Sequence, residues 1–114
     1  MTQGFIDVPV TMVPHDRVAA FTVTGDCLTG DGILDGDNIL VDPLAQVEDG
    51  DIAVVVARFG EITSGVVKHV HREGGNLRLV ASNLEYGDII LTPDRDPVIV
   101  GKVIGIVRLT GRAK

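Results

Sequence analysis

The sequence predicts an all-β fold, a twisted barrel or sandwich of short strands, on three observations. About a quarter of the 114 residues are Val or Ile while only 4% are aromatic, a composition suited to pleated, half-buried surfaces. Short apolar runs recur between dense turn signals, and no window of about eleven residues repeats its apolar positions at helical spacing. Phe5–Val10 opens the series as an alternating segment. Ala19–Thr24 stops at Gly25-Asp26, and Asn38–Asp42 starts after Asp35-Gly36-Asp37. Ile52–Phe59 follows Asp49-Gly50-Asp51 and carries the longest unbroken apolar run, Ile52 to Ala57. Glu61–Arg72 ends at Gly74-Gly75-Asn76, which feeds Leu77–Ala81. Ile89–Leu91 lies between Gly87-Asp88 and Thr92-Pro93-Asp94, and Val98–Leu109 closes the chain. Glycine supplies positive φ at such corners while Asp and Asn satisfy local amides. At most a turn or two of helix is expected after Cys27.

A chain of 12.1 kDa with mean hydropathy +0.30 has room for one globular domain, residues 1–114, and no repeat or linker divides it. No apolar run approaches a membrane span, and no basic-then-apolar leader opens the chain. The single cysteine, Cys27, has no internal disulfide partner and fits a reducing, cytoplasmic setting. Net charge is −6, the wrong sign for a domain that coats nucleic acid by itself. The distribution is sharper than the total. No Lys or Arg lies between Arg17 and Arg58, where Asp26, Asp31, Asp35, Asp37, Asp42, Glu48, Asp49 and Asp51 fall; after Asp96 come Lys102, Arg108, Arg112 and Lys114 with no acid. The two regions either meet, within the fold or across a symmetric dimer, or form a solvated turn surface and a loose tail.

Alternation singles out Lys68. From Val66 to His71, Val66, Lys68 and Val70 share one strand face, and Val67, His69 and His71 share the other. Burial among valines disfavours an ammonium, and a neutral amine serves as a general base; a stem that snorkels to water is the plainer alternative. In Val98–Leu109, Ile99, Gly101, Val103, Gly105, Val107 and Leu109 form one apolar or glycine face. Val98, Val100, Ile104 and Ile106 dominate the other, so the strand needs cover on both sides, from the core or from a second copy. Cys27 follows a strand and a Gly-Asp turn, where a nucleophile is held beside backbone amides able to stabilise an oxyanion. His69 and His71, with His15, lack a placed carboxylate or thiol, so no metal is assigned to them. The aspartates of 31–42 lack the rhythm of a calcium loop and read as turn formers. No phosphate loop or other cofactor motif is present.

Several ordered motifs resemble one family. Val23-Thr24-Gly25-Asp26-Cys27-Leu28, followed by Ile33-Leu34-Asp35-Gly36-Asp37, is similar to the nucleophile region of the LexA/UmuD-type self-cleaving domains, which reads roughly V-S-G-D-S-M and then I-x-D-G-D. Asp49-Gly50-Asp51-Ile52-Ala53-Val54 resembles the family's GDIVV strand, and Val66-Val67-Lys68-His69-Val70 its T-V-K-R strand. His71–Val80 resembles its hairpin, Asn83-Leu84-Glu85-Tyr86 its N-P-x-Y, and Val100–Arg108 its closing strand; together they cover about residues 20–109. The resemblance implies the signal-peptidase-related fold of a repressor's C-terminal domain, which dimerises, here through Val98–Leu109. It also implies a serine–lysine dyad that cuts the protein's own chain, promoted by the activated recombinase filament of the DNA-damage (SOS) response or by high pH, which deprotonates the lysine, in a repressor of that response or of a phage-type switch.

The family's serine position holds Cys27, so the implied pair is Cys27 as nucleophile and Lys68 as general base. A thiol is the better nucleophile once ionised, but sulfur is larger than the oxygen such a site fits, so impaired activity is expected. No Ala-Gly or Cys-Gly pair, the family's usual scissile bond, precedes Cys27. Only 26 residues stand upstream of it, so the chain is expected to be a cleavage product or stand-alone catalytic domain that reaches DNA only through a separate N-terminal domain. A processed UmuD-like module for a translesion polymerase, or a Cys–Lys peptidase acting in trans, are the alternative expectations.

Overall fold

Turn chemistry divides the chain into strands much as its punctuation predicts. A computed structural model describes residues 2–4 and 13–108. Among these residues eight strands form one sheet: β1 (Thr2–Gly4), β2 (Ala19–Thr22), β3 (Asn38–Asp42), β4 (Ile52–Phe59), β5 (Ile62–Glu73), β6 (Asn76–Val80), β7 (Ile89–Leu91) and β8 (Val98–Val107). Helix among the described residues is confined to single 3-10 turns at Thr29–Asp31 and Pro93–Arg95. The all-β expectation therefore holds. The strand expected over Phe5–Val10, and Leu109 at the end of the last run, lie outside the described residues. No helix among the described residues is long and apolar enough to cross a membrane.

The strand order is β1-β2-β3-β8-β4-β5-β6-β7, and every pairing is antiparallel. The β5–β6 hairpin closes on Gly74-Gly75, both with positive φ (+58° and +87°), as a two-residue turn matched to strand twist requires. β2 ends two residues earlier than the expected Thr24, because Val23 leaves the sheet: its N–H donates to the Asp37 carbonyl and its carbonyl accepts from Gly36 N–H.

Two apolar cores lie on the two faces of the sheet. One gathers Val23, Leu28, Ile33, Ile39, Val41, Val54 and Val67; the other gathers Val47, Ala53, Val55, Ala57, Val70, Leu79 and Leu91. The central strand β4 feeds both by alternation, Val54 into the first and Ala53, Val55 and Ala57 into the second, which explains its continuous apolar run. For β8 the simple alternation fails. Val100 and Val103 pack on the first core and Ile99 on the second, because the register shifts against β3 at Leu40/Val41 and against β4 at Val54/Val55. Each bulge moves the following side chains to the opposite face.

The acidic and basic regions meet inside the fold. Arg108 clasps the buried Asp37 carboxylate through Nε (2.7 Å) and Nη2 (2.6 Å), and Lys102 Nζ lies 3.4 Å from Asp51. The Arg108 guanidinium, aided by the Leu34 amide and opposed by burial, holds the Asp37 carboxyl below its ordinary range.

Candidate active site

The segment between β2 and β3 carries Cys27 because its ends and middle are anchored. Val23, Leu28 and Ile33 are buried in the first core, and the Asp35 carboxylate accepts the Gly25 N–H at 2.7 Å. The aspartates read as turn formers do that work: Asp37 accepts from Leu34 N–H and Asp42 from Leu44 N–H. A second segment, Ser82–Tyr86, grips the same turn. The amides of Ser82 and Asn83 both donate to the Cys27 carbonyl (2.9 and 3.1 Å), and Asn83 Nδ2 donates to the Asp26 carbonyl at 3.1 Å. Two hydrogen-bonded walls thus fix the backbone of Cys27 while its side chain stays partly accessible.

β5 supplies the opposite wall. Among the described residues its Ile62–Lys68 half pairs only with β4, since β6 joins from His69 onward. The Val67 carbonyl is therefore free to accept the Cys27 thiol, at 3.7 Å from Sγ. The next residue, Lys68, is buried (7% exposed). Among the described residues it has no ion-pair partner within 4 Å, and its Nζ lies 5.2 Å from the centroid of the Tyr86 ring. Thr24, Gly25, Asp26, Cys27, Gly65, Val66, Val67, Lys68 and Tyr86 enclose one cleft of about 220 Å³. Cys27 and Lys68, chosen from sequence alone, thus line a single cavity. Asp26 and Tyr86 were read only as a turn former and as part of a motif; Tyr86 Oη in fact donates to Asp26 Oδ1.

The histidines do other work. His69 faces away from Lys68, its Nδ1 2.7 Å from the Gly50 carbonyl and its Nε2 2.8 Å from Asp31, while His15 pairs with Asp42 at 2.7 Å. No group of three or more metal-ligating side chains is gathered among the described residues. Both His69 neighbours are acceptors, so the imidazolium fits better than the neutral ring. Burial opposes that form, but the Gly50 carbonyl and Asp31 outweigh it and raise the His69 pKa. For Asp31, burial is likewise outweighed by hydrogen bonds and the His69 charge, and its pKa is lowered. A raised histidine contributes stability that is complete below its unfolded pKa of 6.5 and is lost as pH rises through the folded value. A lowered carboxyl contributes above 3.8. Tm should therefore fall as pH rises above about 6.5, and His69→Gln should flatten that fall in a thermal melt.

Comparison with known proteins places this geometry in context. The family described as Peptidase S24-like matches residues 2–104. LexA repressor 2 of Pseudomonas syringae pv. tomato is 45% identical over 87 residues, 75% of this chain and 41% of that protein. The LexA repressor of an Exiguobacterium strain is 35% identical over 101 residues, 89% of this chain and 46% of that protein. That of Geobacillus kaustophilus is 33% identical over 108 residues, 94% of this chain and 49% of that protein. The chain spans less than half the length of these relatives.

Proposed function

The chain belongs to the Peptidase S24-like family, and from that premise we propose that it serves as the dimerisation and autoproteolysis domain of a LexA-like transcriptional repressor, with Cys27 and Lys68 as its catalytic pair. What supports the reading above all is the cleft itself, lined by a thiol and by a buried lysine that has no ion-pair partner within 4 Å among the described residues. In the step proposed, Lys68 Nζ takes the proton from Sγ and the sulfur attacks a peptide carbonyl carbon. The C–N bond then breaks, the Lys68 ammonium returns its proton to the leaving amine, and water hydrolyses the thioester. The edge of β5 beside Val67, unpaired among the described residues, offers an extended segment main-chain hydrogen bonds next to the sulfur. DNA contact belongs to the part of such repressors that this chain does not cover, and the recombinase filament is the proposed trigger of cleavage.

The homodimer is proposed to form through β8 and its continuation, Val98–Leu109. Val98, Ile104 and Ile106 of that strand are exposed, although β8 lies between β3 and β4 within the sheet. The deciding measurement is the rate of Cys27 alkylation by iodoacetamide from about pH 6 to 10, beside Lys68→Ala. Coupling predicts a thiolate fraction at neutral pH well above that of a free cysteine, lost in the variant. An ordinary thiol profile indifferent to Lys68 removes the pair from the reading.

A further inference from the structure

We propose that Tyr86 is a positioning residue that ties the Asp26 carboxylate down and so keeps Lys68 free for Cys27, an inference that rests on the Cys27–Lys68 reading above. Asp26 is the one acid among the described residues lining the cleft, and it is the immediate neighbour of the nucleophile position. A carboxylate that reached Lys68 would hold it as an ammonium and leave Cys27 without a base. Instead, Tyr86 Oη donates to Asp26 Oδ1, a hydrogen bond that a carboxylate accepts strongly. The same residue presents its ring to Lys68 Nζ at 5.2 Å, a weaker hold on an ammonium than a carboxylate gives. Tyr86 thus separates the two charges by occupying both.

The turn that carries Tyr86 is itself braced for this task. Asn83 accepts the Tyr86 N–H at its carbonyl (3.1 Å) and the Glu85 N–H at Oδ1 (2.9 Å), while its Nδ2 holds the Asp26 carbonyl. Asp26, Cys27 and Tyr86 share the cleft with Lys68. Ala53 lies opposite Lys68 on β4, and His69 with Asp31 occupies the other face of β5. The phenol remains a donor in alkaline solution, because the Asp26 hydrogen bond and charge, then burial and the nearby Cys27 and Glu85, raise its pKa.

Tyr86→Phe removes the hydroxyl and keeps the ring. The released carboxylate competes for the Lys68 ammonium and repels the Cys27 thiolate, and both effects act in one direction. The rising limb of iodoacetamide alkylation should move to higher pH by about one unit, a roughly tenfold slower rate at a fixed pH on that limb. Adding Asp26→Asn to Tyr86→Phe should return the limb to its original place. A Tyr86→Phe profile that overlays the parent while Lys68→Ala differs overturns the positioning role and leaves the dyad standing. A double variant that stays displaced also overturns it, since the carboxylate is then not the cause. If Lys68→Ala itself overlays the parent, the dyad falls and this inference with it.

Discussion

Replacing Lys68 with methionine is expected to slow cleavage of an added peptide containing an Ala-Gly bond by about 100-fold at neutral pH, and by far less near pH 10. Methionine keeps the length of the buried stem without the amine, so the change removes the base while leaving little cavity. A thiol ionises unaided in alkaline solution, so Cys27 needs its base least there. A hydroxyl does not, and Cys27→Ser should make the Lys68→Met penalty large at both pH values. The measurement is kcat/KM by chromatographic separation of the fragments, for four proteins: the parent, each single variant and the double. A penalty that is the same for sulfur and oxygen at every pH would mean that Lys68 acts on the cleft's shape, not on the nucleophile's proton. The burial of Lys68 with no carboxylate within ion-pair distance among the described residues favours the proton role, because a lysine kept for structure is normally paired.

What the sequence made legible here is local. Alternation across Val66–His71 separates Lys68 from His69, and the structure keeps them apart, Lys68 in the cleft and His69 on Asp31 and Gly50. Turn residues mark most strand ends because glycine and aspartate solve a backbone problem wherever they stand. The rest of the site depends on pairs with no shared periodicity. Tyr86 meets Asp26 across a separation of 60 residues and Arg108 meets Asp37 across 71; the charge asymmetry left open whether acids and bases meet and named no pairs. The faces of β8 were misread for a related reason. A bulge is fixed by the neighbouring strands' register, and the alternation of Val98–Val107 carries no mark of it.

Gly101→Ala is expected to cost about 3 kcal/mol of folding stability, equivalent to a Tm lower by about 12 °C. Gly101 sits opposite Val54 in β8, beside the register shifts that pack β8 between β3 and β4. A Cβ there would lie 2.7 Å from the Asp42 carbonyl oxygen, 2.8 Å from Val41 Cγ1 and 2.9 Å from the Asp42 carbonyl carbon. Two of those three atoms are backbone, and β3 has little freedom to withdraw. It is paired on its far side with β2, and Asp42 is held by Leu44 N–H and His15. Gly105 of the same strand is the internal control: the atoms nearest its added Cβ would be Leu40 Cδ1, Cγ and Cβ, at 3.4, 3.8 and 3.9 Å, all of one side chain. There the reduced freedom of the unfolded chain should leave Gly105→Ala neutral or about 0.5 kcal/mol more stable. Both substitutions alter strand propensity equally, so the gap between them in urea unfolding isolates the close approach of β3 to β8. Equal stabilities would mean that β3 gives way at Asp42, and the packing at Gly101 would then place no constraint on the central strand.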